Sequence, residues 1–285
     1  IINSGATPKL VDIGEDYLID TDKIERQINK KTKAIIPVHL YGQSCDMDKI
    51  IKIAKKYNLK VIEDCAQAQG AMYKNKFVGT LGDFGCFSFY PTKILGAYGD
   101  GGFIITKKQN DYKKIKRLRF YGIETTDKKN KFFNKYYANE NGLNSRIDEI
   151  QSTILNIKLK YVDDFIKKRI YLANIYFENL KETSLKLPHV NKFSKHVYHL
   201  FTIRHKQKEK IVRLLKKKKI GTRVIYPYPI NIMKAYKKFE LKKNNLRKTL
   251  IASKEIFSLP LYPELKVSEV HLICKNLKKV LKQID

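Results

Sequence analysis

The sequence has no run of the roughly 18–20 apolar residues that a membrane-spanning helix needs. A helical membrane protein is therefore excluded. Its four cysteines, Cys45, Cys65, Cys86 and Cys274, form no C-x-x-C pair, so a zinc knuckle is excluded too. Three of them lie within or beside apolar segments, where a free cysteine acts as a small hydrophobe. A reducing, cytoplasmic compartment is expected. The opening residues "IINSGATPKLVD" have neither a charged start nor a long apolar block, so no secretory leader is expected. There are no internal repeats and no low-complexity linker. The glycines of "GAYGDGG" do not fit G-x-G-x-x-G, and they do not connect a first strand to its helix. A nicotinamide-binding domain is thereby excluded.

Acidic residues are also scarce. There are 28 against 58 basic ones, a net charge of +30. Such a balance suggests a nucleic-acid partner, but nine of the basic residues are Arg and 49 are Lys. Readers of phosphates and bases favour the bidentate arginine fork. Here lysine is spread over the whole chain beside plentiful Ile, Asn and Tyr, which is a compositional bias. The densest run, "LLKKKKIG" (Leu214 to Gly221), reads as the solvated end of a helix. No nucleic-acid partner is expected.

The 285 residues and 43% hydrophobic content suffice for two domains. The first half alternates strand and helix signals. "PKLVDI", "TKAIIPVHLYG" and "LKVIED" are strand-like. "TDKIERQINK" has Ile24 and Ile28 at helical spacing behind Asp20 and Thr21 as caps. "DMDKIIKIAKKYN" is amphipathic. This rhythm implies an α/β fold with a mostly parallel sheet covered by helices. The stretch from Asn144 to Leu180 has no Gly or Pro and reads as one long helix capped by Asn144 or Ser145. Beyond it come a strand "HVYHLFTIRH", a helix "KEKIVRLLKKKK", a strand "TRVIYP" and two more helical segments. The expected organisation is a large domain over residues 1–160 and a smaller α+β domain over 161–285.

Ligands in parallel α/β folds bind at the carboxyl ends of strands. Asp64 closes the strand "VIED". Ser88 and Lys93 share "FSFYPTK", and Gly96, Gly99, Gly101 and Gly102 follow. Pyridoxal 5′-phosphate needs a lysine for its aldehyde, a carboxylate for its ring nitrogen and hydroxyls for its phosphate. Lys93, Asp64 and Ser88 offer one group for each task. Lys93 and Asp64 also have ordinary readings by spacing alone: a surface charge, and a helix cap or strand-end turn residue.

The block "VIEDCAQAQGAMYKNKFVGTLGDFGCFSFYPTKILGAYGDGGFIIT" (Val61 to Thr106) strongly resembles the DegT/DnrJ/EryC1/StrS family of sugar-nucleotide aminotransferases. "GATPKLVDI" and "KTKAIIPVHLYGQSCDMDKI" upstream, and "GLNSRIDEIQSTIL" and "SLPLYPEL" downstream, extend the likeness over nearly the whole chain. The resemblance implies a pyridoxal-phosphate enzyme of fold type I. It gives Lys93 the place of the Schiff-base lysine and Asp64 that of the partner of the pyridine nitrogen. Gln67 takes the place beside the ring's phenolic oxygen, and Ser88 that of a phosphate ligand. Asn144 takes the place of an asparagine that reaches the phosphate across a homodimer interface. A dehydrating subgroup has histidine for the lysine; Lys93 favours transamination. The implied substrates are glutamate as amino donor and a nucleotide-linked keto-sugar as acceptor.

Some positions depart from the family pattern. Gln69 stands for a frequent His, Ile94 for a frequent Asn, and Ile225 and Asn231 for two histidines near the substrate end. Members also carry a further N-terminal segment with a phosphate-gripping "SGT"-type turn and a ring-stacking aromatic. The chain opens as if just after it. The competing expectation is accordingly a truncated, inactive homologue or a basic binding protein. His39 is read either as facing the site or as a satisfied structural histidine. His196 and His199 are assigned to a strand, with a substrate role for His199 secondary. "FFNKYYANENG" (Phe132 to Gly142) is expected to be a loop at the dimer interface.

Overall fold

The computed structural model of the chain describes residues 1–124, 136–239, 241 and 246–284. Its central sheet takes four strands: β1 (Ala34–Ile35), β2 (Lys60–Asp64) and, further along the chain, two strands at Phe84–Ser88 and Gly102–Thr106. Between β1 and β2 lies α1 (Met47–Lys56). Asp46 caps this helix by accepting from Lys49 N, and Met47, Ile50, Ile53 and Ala54 bury one stripe. Lys55 and Lys56 fall in the last turn, where cations suit the helix dipole. A hairpin, β3 (Met72–Tyr73) and β4 (Lys76–Phe77), precedes β5 (Phe84–Ser88) and β6 (Gly102–Thr106). The order is β1-β2-β5-β6, with the first three parallel and β6 antiparallel. A right-handed crossover through a helix is the usual way to join parallel neighbours such as β1 and β2. The parallel pairing of β2 with β5 leaves their carboxyl ends side by side, with Asp64 opposite Cys86.

After α2 (Gln109–Leu118), helices α3 (Glu149–Leu159) and α4 (Val162–Leu180) lead to β7 (Ser194–Lys195), which adds to the β3–β4 hairpin. Then come β8 (Phe201–Arg204), α5 (Lys208–Lys217), α6 (Arg247–Glu255), β9 (Ile256–Leu259) and α7 (Val267–Leu281). β8 and β9 pair antiparallel, and α4, α5 and α7 cover them. Tyr176, Leu180, Phe201, Leu215, Phe257 and Leu277 are fully buried there. Among the described residues no helix is long and apolar enough to cross a membrane.

Local expectations change at several places. "HVYHLFTIRH" is a strand only over Phe201–Arg204, so His196 and His199 lie in the connection between β7 and β8. "PKLVDI" forms only an isolated bridge, Ile13 to Ile19, and the Asp12 side chain reaches across to cap α6. "TDKIERQINK" gives two 3₁₀ turns, Thr21–Lys23 and Glu25–Gln27. Asp20 accepts from Asp22 N, and Ile28 is already extended. The stretch after Asn144 is two helices, not one. α3 ends at Leu159 and α4 begins at Val162, with Lys160 and Tyr161 as a turn between them, and α3 starts behind Asp148, so neither Asn144 nor Ser145 caps it. "TRVIYP" contributes one bridge, Arg223 to Ser258. The "FFNKYYANENG" loop falls partly outside the described residues; Tyr136 and Tyr137 are exposed.

Asp12 ties the start of the chain to its far end. It is 3% exposed and accepts from Lys248 N (3.0 Å), Thr249 N (2.9 Å) and Thr249 Oγ1 (2.7 Å). Burial alone would raise its pKa; the hydrogen bonds from Thr249, Lys248 and Ile13 outweigh it and hold the carboxyl below its ordinary value. Asp12→Ala leaves the first turn of α6 uncapped and is expected to cost about 2 kcal/mol. Thermal unfolding at neutral pH reads this directly; an unchanged midpoint would show that water replaces the cap without loss.

Candidate active site

Asp64 ends β2 between two neighbours. Its backbone N–H donates to Pro37 O (2.9 Å), and its carbonyl accepts from His39 N (3.0 Å). Its Oδ1 accepts from Ala66 N at 3.0 Å, so the carboxylate is held at the strand's end by the turn that follows. Ser88 ends β5, and the chain then turns back. Lys93 N donates to Tyr90 O (2.9 Å), and Ala97 N to Phe89 O (2.8 Å). Gly96 makes this turn fit, since a Cβ there would lie 2.4 Å from Pro91 O. The glycines thus serve close approach. Ser88 Oγ accepts from Tyr90 N at 3.3 Å.

Lys93 is half-buried on this turn. Burial lowers its pKa, and the Asp64 carboxylate partly opposes that shift. The structure therefore brings the amine and the carboxylate within electrostatic reach, at the carboxyl ends of β2 and β5. A lysine with a depressed pKa supplies more free amine at neutral pH than a solvated one.

Gln67 is buried beside them. Its Oε1 accepts from Tyr41 N (2.9 Å), and its Nε2 donates to Tyr226 Oη (3.3 Å). Tyr41 sits in left-handed geometry (φ 58°, ψ 4°), an unfavourable place for an aromatic residue. The bond to Gln67 and one from Tyr41 Oη to Ile225 O (2.5 Å) hold it there. Gln69 Nε2 donates to Ser88 O at 2.6 Å, while its buried Oε1 has no partner. Asp64, Gln67, Ser88 and Lys93 thus belong to one locality. Asn144 does not join them within this chain: it is exposed and bridged to Phe120.

His39 is structural. It is fully buried, its Nδ1 accepts from Cys45 N (3.1 Å) and its Nε2–H is directed at Glu63 Oε2 (3.0 Å). His196 is buried too, accepts from Tyr198 N and stacks on that ring at 4.0 Å. Burial takes its pKa down to about 3. Sequence reasoning missed the bond from Gln67 to Tyr226. "VIYPYPIN" stood out only by its departures, and nothing in spacing links residues 159 apart.

Fold and site define an α/β enzyme with an amine and a carboxylate at adjoining strand ends. The chain belongs to the DegT/DnrJ/EryC1/StrS aminotransferase family, whose model matches residues 1–278. It is 44% identical over 277 residues to a dTDP-3-amino-3,6-dideoxy-alpha-D-galactopyranose transaminase of Aneurinibacillus thermoaerophilus, covering 97% of this chain and 73% of that protein. Its fold matches Streptomyces venezuelae DesV, solved with a ketimine intermediate, at a TM-score of 0.92 and 32% identity. That match covers 100% of this chain and 75% of DesV. It also matches NtdA of Bacillus subtilis, solved with bound cofactor PMP, at 0.88 and 32%, covering 99% and 64%.

Proposed function

We propose that this aminotransferase uses pyridoxal 5′-phosphate to move an amino group from glutamate to a keto group of a nucleotide-linked deoxysugar. The observation that carries the reading is the half-buried Lys93 amine under the charge of Asp64. The groups present fit the cofactor: an amine, a carboxylate, the Ser88 hydroxyl, and Gln67 anchored at both ends. When bound, the cofactor supplies an electrophilic aldehyde and an electron-withdrawing ring. Lys93 would be the amine that holds the cofactor's aldehyde, and its Nζ would hold and move the proton during transfer. Asp64 would pair with the ring nitrogen and keep it protonated. Gln67 would stand near the ring's phenolic oxygen, and Ser88 would bind the phosphate. The solvent-facing Asn144 suits a role across a homodimer interface, at the phosphate of the partner subunit. The sugar acceptor follows from relatives such as the dTDP-sugar transaminase. We retain a large domain over 1–160 and a smaller one over 161–285. A separate core built on α4, α5, α7 and β8–β9 supports this division.

Titration with pyridoxal phosphate tests the reading. A new absorbance band that glutamate bleaches, and that a nucleotide-linked keto-sugar restores, is the expected result. A band that glutamate leaves unchanged would sink the assigned donor. Asp64→Ala is expected to keep a bound cofactor but lose about 10²–10³-fold in turnover, because a placed charge is removed. Turnover within threefold of the parent would take Asp64 out of the chemistry.

A further inference from the structure

The turn after β2 carries a second glutamine that the chemistry above does not use. Gln69 is 5% exposed, and its chain neighbours Ala68 and Ala71 are fully buried in an apolar cluster. Its Nε2 donates to Ser88 O at 2.6 Å. The reversed amide would set two oxygens against each other at that distance, so the bond fixes the amide's orientation. The Oε1 is buried and has no partner among the described residues. A half-satisfied buried amide is a poor device for stability alone and calls for another explanation.

Sheet geometry supplies one. Carbonyls along a strand alternate in direction, so Cys86 O and Ser88 O of β5 point the same way, towards β2. Cys86 O accepts from Cys65 N at 2.8 Å. The register ends there. Asp64 opposite Cys86 is the last pair, and the chain then turns, with Ala68 N donating to Cys65 O (2.9 Å). β2 has no further residue to offer Ser88 O, two positions along. The Gln69 side chain donates where the next strand residue would. On the other edge Ser88 pairs with Gly102, and Phe89 N donates to Gly101 O (2.7 Å). Ser88 is thus held from both flanks, by β6 and by a side chain that extends β2. Its Oγ accepts from Tyr90 N at 3.3 Å, which leaves its own O–H to donate to a ligand.

We propose that Gln69 is a positioning residue for Ser88: it completes the β2–β5 ladder beyond the end of β2 and so fixes the Ser88 hydroxyl for the cofactor phosphate. This deepens the reading above and rests on the phosphate role given there to Ser88. No covalent bond forms or breaks. The effect is one of order, since a donor fixed before its ligand arrives need not be ordered by it. Asp64 and Gln69 share one turn, so a single segment sets the spacing between the carboxylate and the hydroxyl.

The test is equilibrium binding to the full chain, read by absorbance, of pyridoxal phosphate and of pyridoxal, which lacks the phosphate. Gln69→Met keeps the bulk and removes the donor. It is expected to weaken pyridoxal phosphate on the order of tenfold and pyridoxal by less than about twofold. Ser88→Ala is expected to show the same selectivity. The double variant is expected to bind within about twofold of Ser88→Ala, because Gln69 acts through Ser88. Equal losses for the two ligands in Gln69→Met, or additive losses in the double variant, overturn the proposal. Should Gln69→Met not fold, nitrogen NMR of the Gln69 side-chain amide in the parent decides. Its resonance is expected to move on adding pyridoxal phosphate and to move less with pyridoxal; equal movement overturns the proposal. A parent that binds pyridoxal phosphate no tighter than pyridoxal sinks the phosphate role of Ser88, and the proposal with it. A parent that prefers the phosphate, and a Gln69→Met that keeps the whole preference, sink the role of Gln69 alone.

Discussion

Lys93→Ala is expected to abolish the pyridoxal-phosphate absorbance band and to lower transamination by at least ~10³-fold, since one side chain both meets the aldehyde and moves the proton. Lys93→Arg is expected to fail almost as badly. A guanidinium stays protonated at any working pH and supplies no free amine. The folded state should hardly notice either loss. Burial lowers the pKa of Lys93, so the fold disfavours its ammonium relative to the unfolded chain. That penalty is fully present below the folded-state pKa and fades as pH rises through the unfolded value. At neutral pH the alanine variant is therefore expected to melt at or slightly above the parent temperature. Absorbance, turnover and thermal unfolding on one preparation separate the outcomes. Lost activity with an unchanged melting point places Lys93 in the chemistry. A melting point several degrees lower would make it a structural residue and leave the chemistry without its amine.

The elements that position this lysine were legible because they obey a single rule each. β2 lies within the strand-like "LKVIED" and ends at Asp64 as that reading requires. α1 has its cap, its stripe and its terminal lysines in order. Other segments obey a local rule that tertiary contacts then override. Ile24 and Ile28 satisfy a helical spacing, yet only Ile24 is buried and the chain makes two 3₁₀ turns. The break at Tyr161 carries no Gly or Pro to announce it. At the site, local chemistry offered Lys93, Asp64 and Ser88 as one set among several readings, and the family likeness chose between them. Tyr226 on Gln67 was invisible because that contact joins distant parts of the chain. His199 reads in the sequence as a strand residue, yet it lies between β7 and β8. Only the structure shows its unpaired nitrogen.

Glu63 should prove as important to the fold as Lys93 is to the chemistry. It is fully buried next to Asp64 and accepts four hydrogen bonds: Gly79 N (2.7 Å), Leu81 N (2.8 Å), Gly82 N (2.6 Å) and His39 Nε2 (3.0 Å). Together these pin the 79–82 loop and His39 to β2. Burial by itself would raise the carboxyl's pKa; His39 and the backbone donors outweigh it and hold the pKa below the ordinary 4.5. Glu63→Gln turns an NH₂ toward groups that are already donors, and Glu63→Ala leaves all four without an acceptor. Either is expected to cost roughly 3–5 kcal/mol, a fall in melting temperature of about 10 °C. The pH dependence has a definite sign. Because the folded pKa is depressed, the stabilisation is fully present above 4.5 and is lost as pH falls through the lower folded value. The parent curve should drop towards that of Glu63→Gln below about pH 4.5, and the gap between them should be constant above about pH 6. A gap that persists undiminished at pH 3 would mean that Glu63 is not held as a carboxylate. The support that keeps Asp64 at its strand end would then have to come from packing alone.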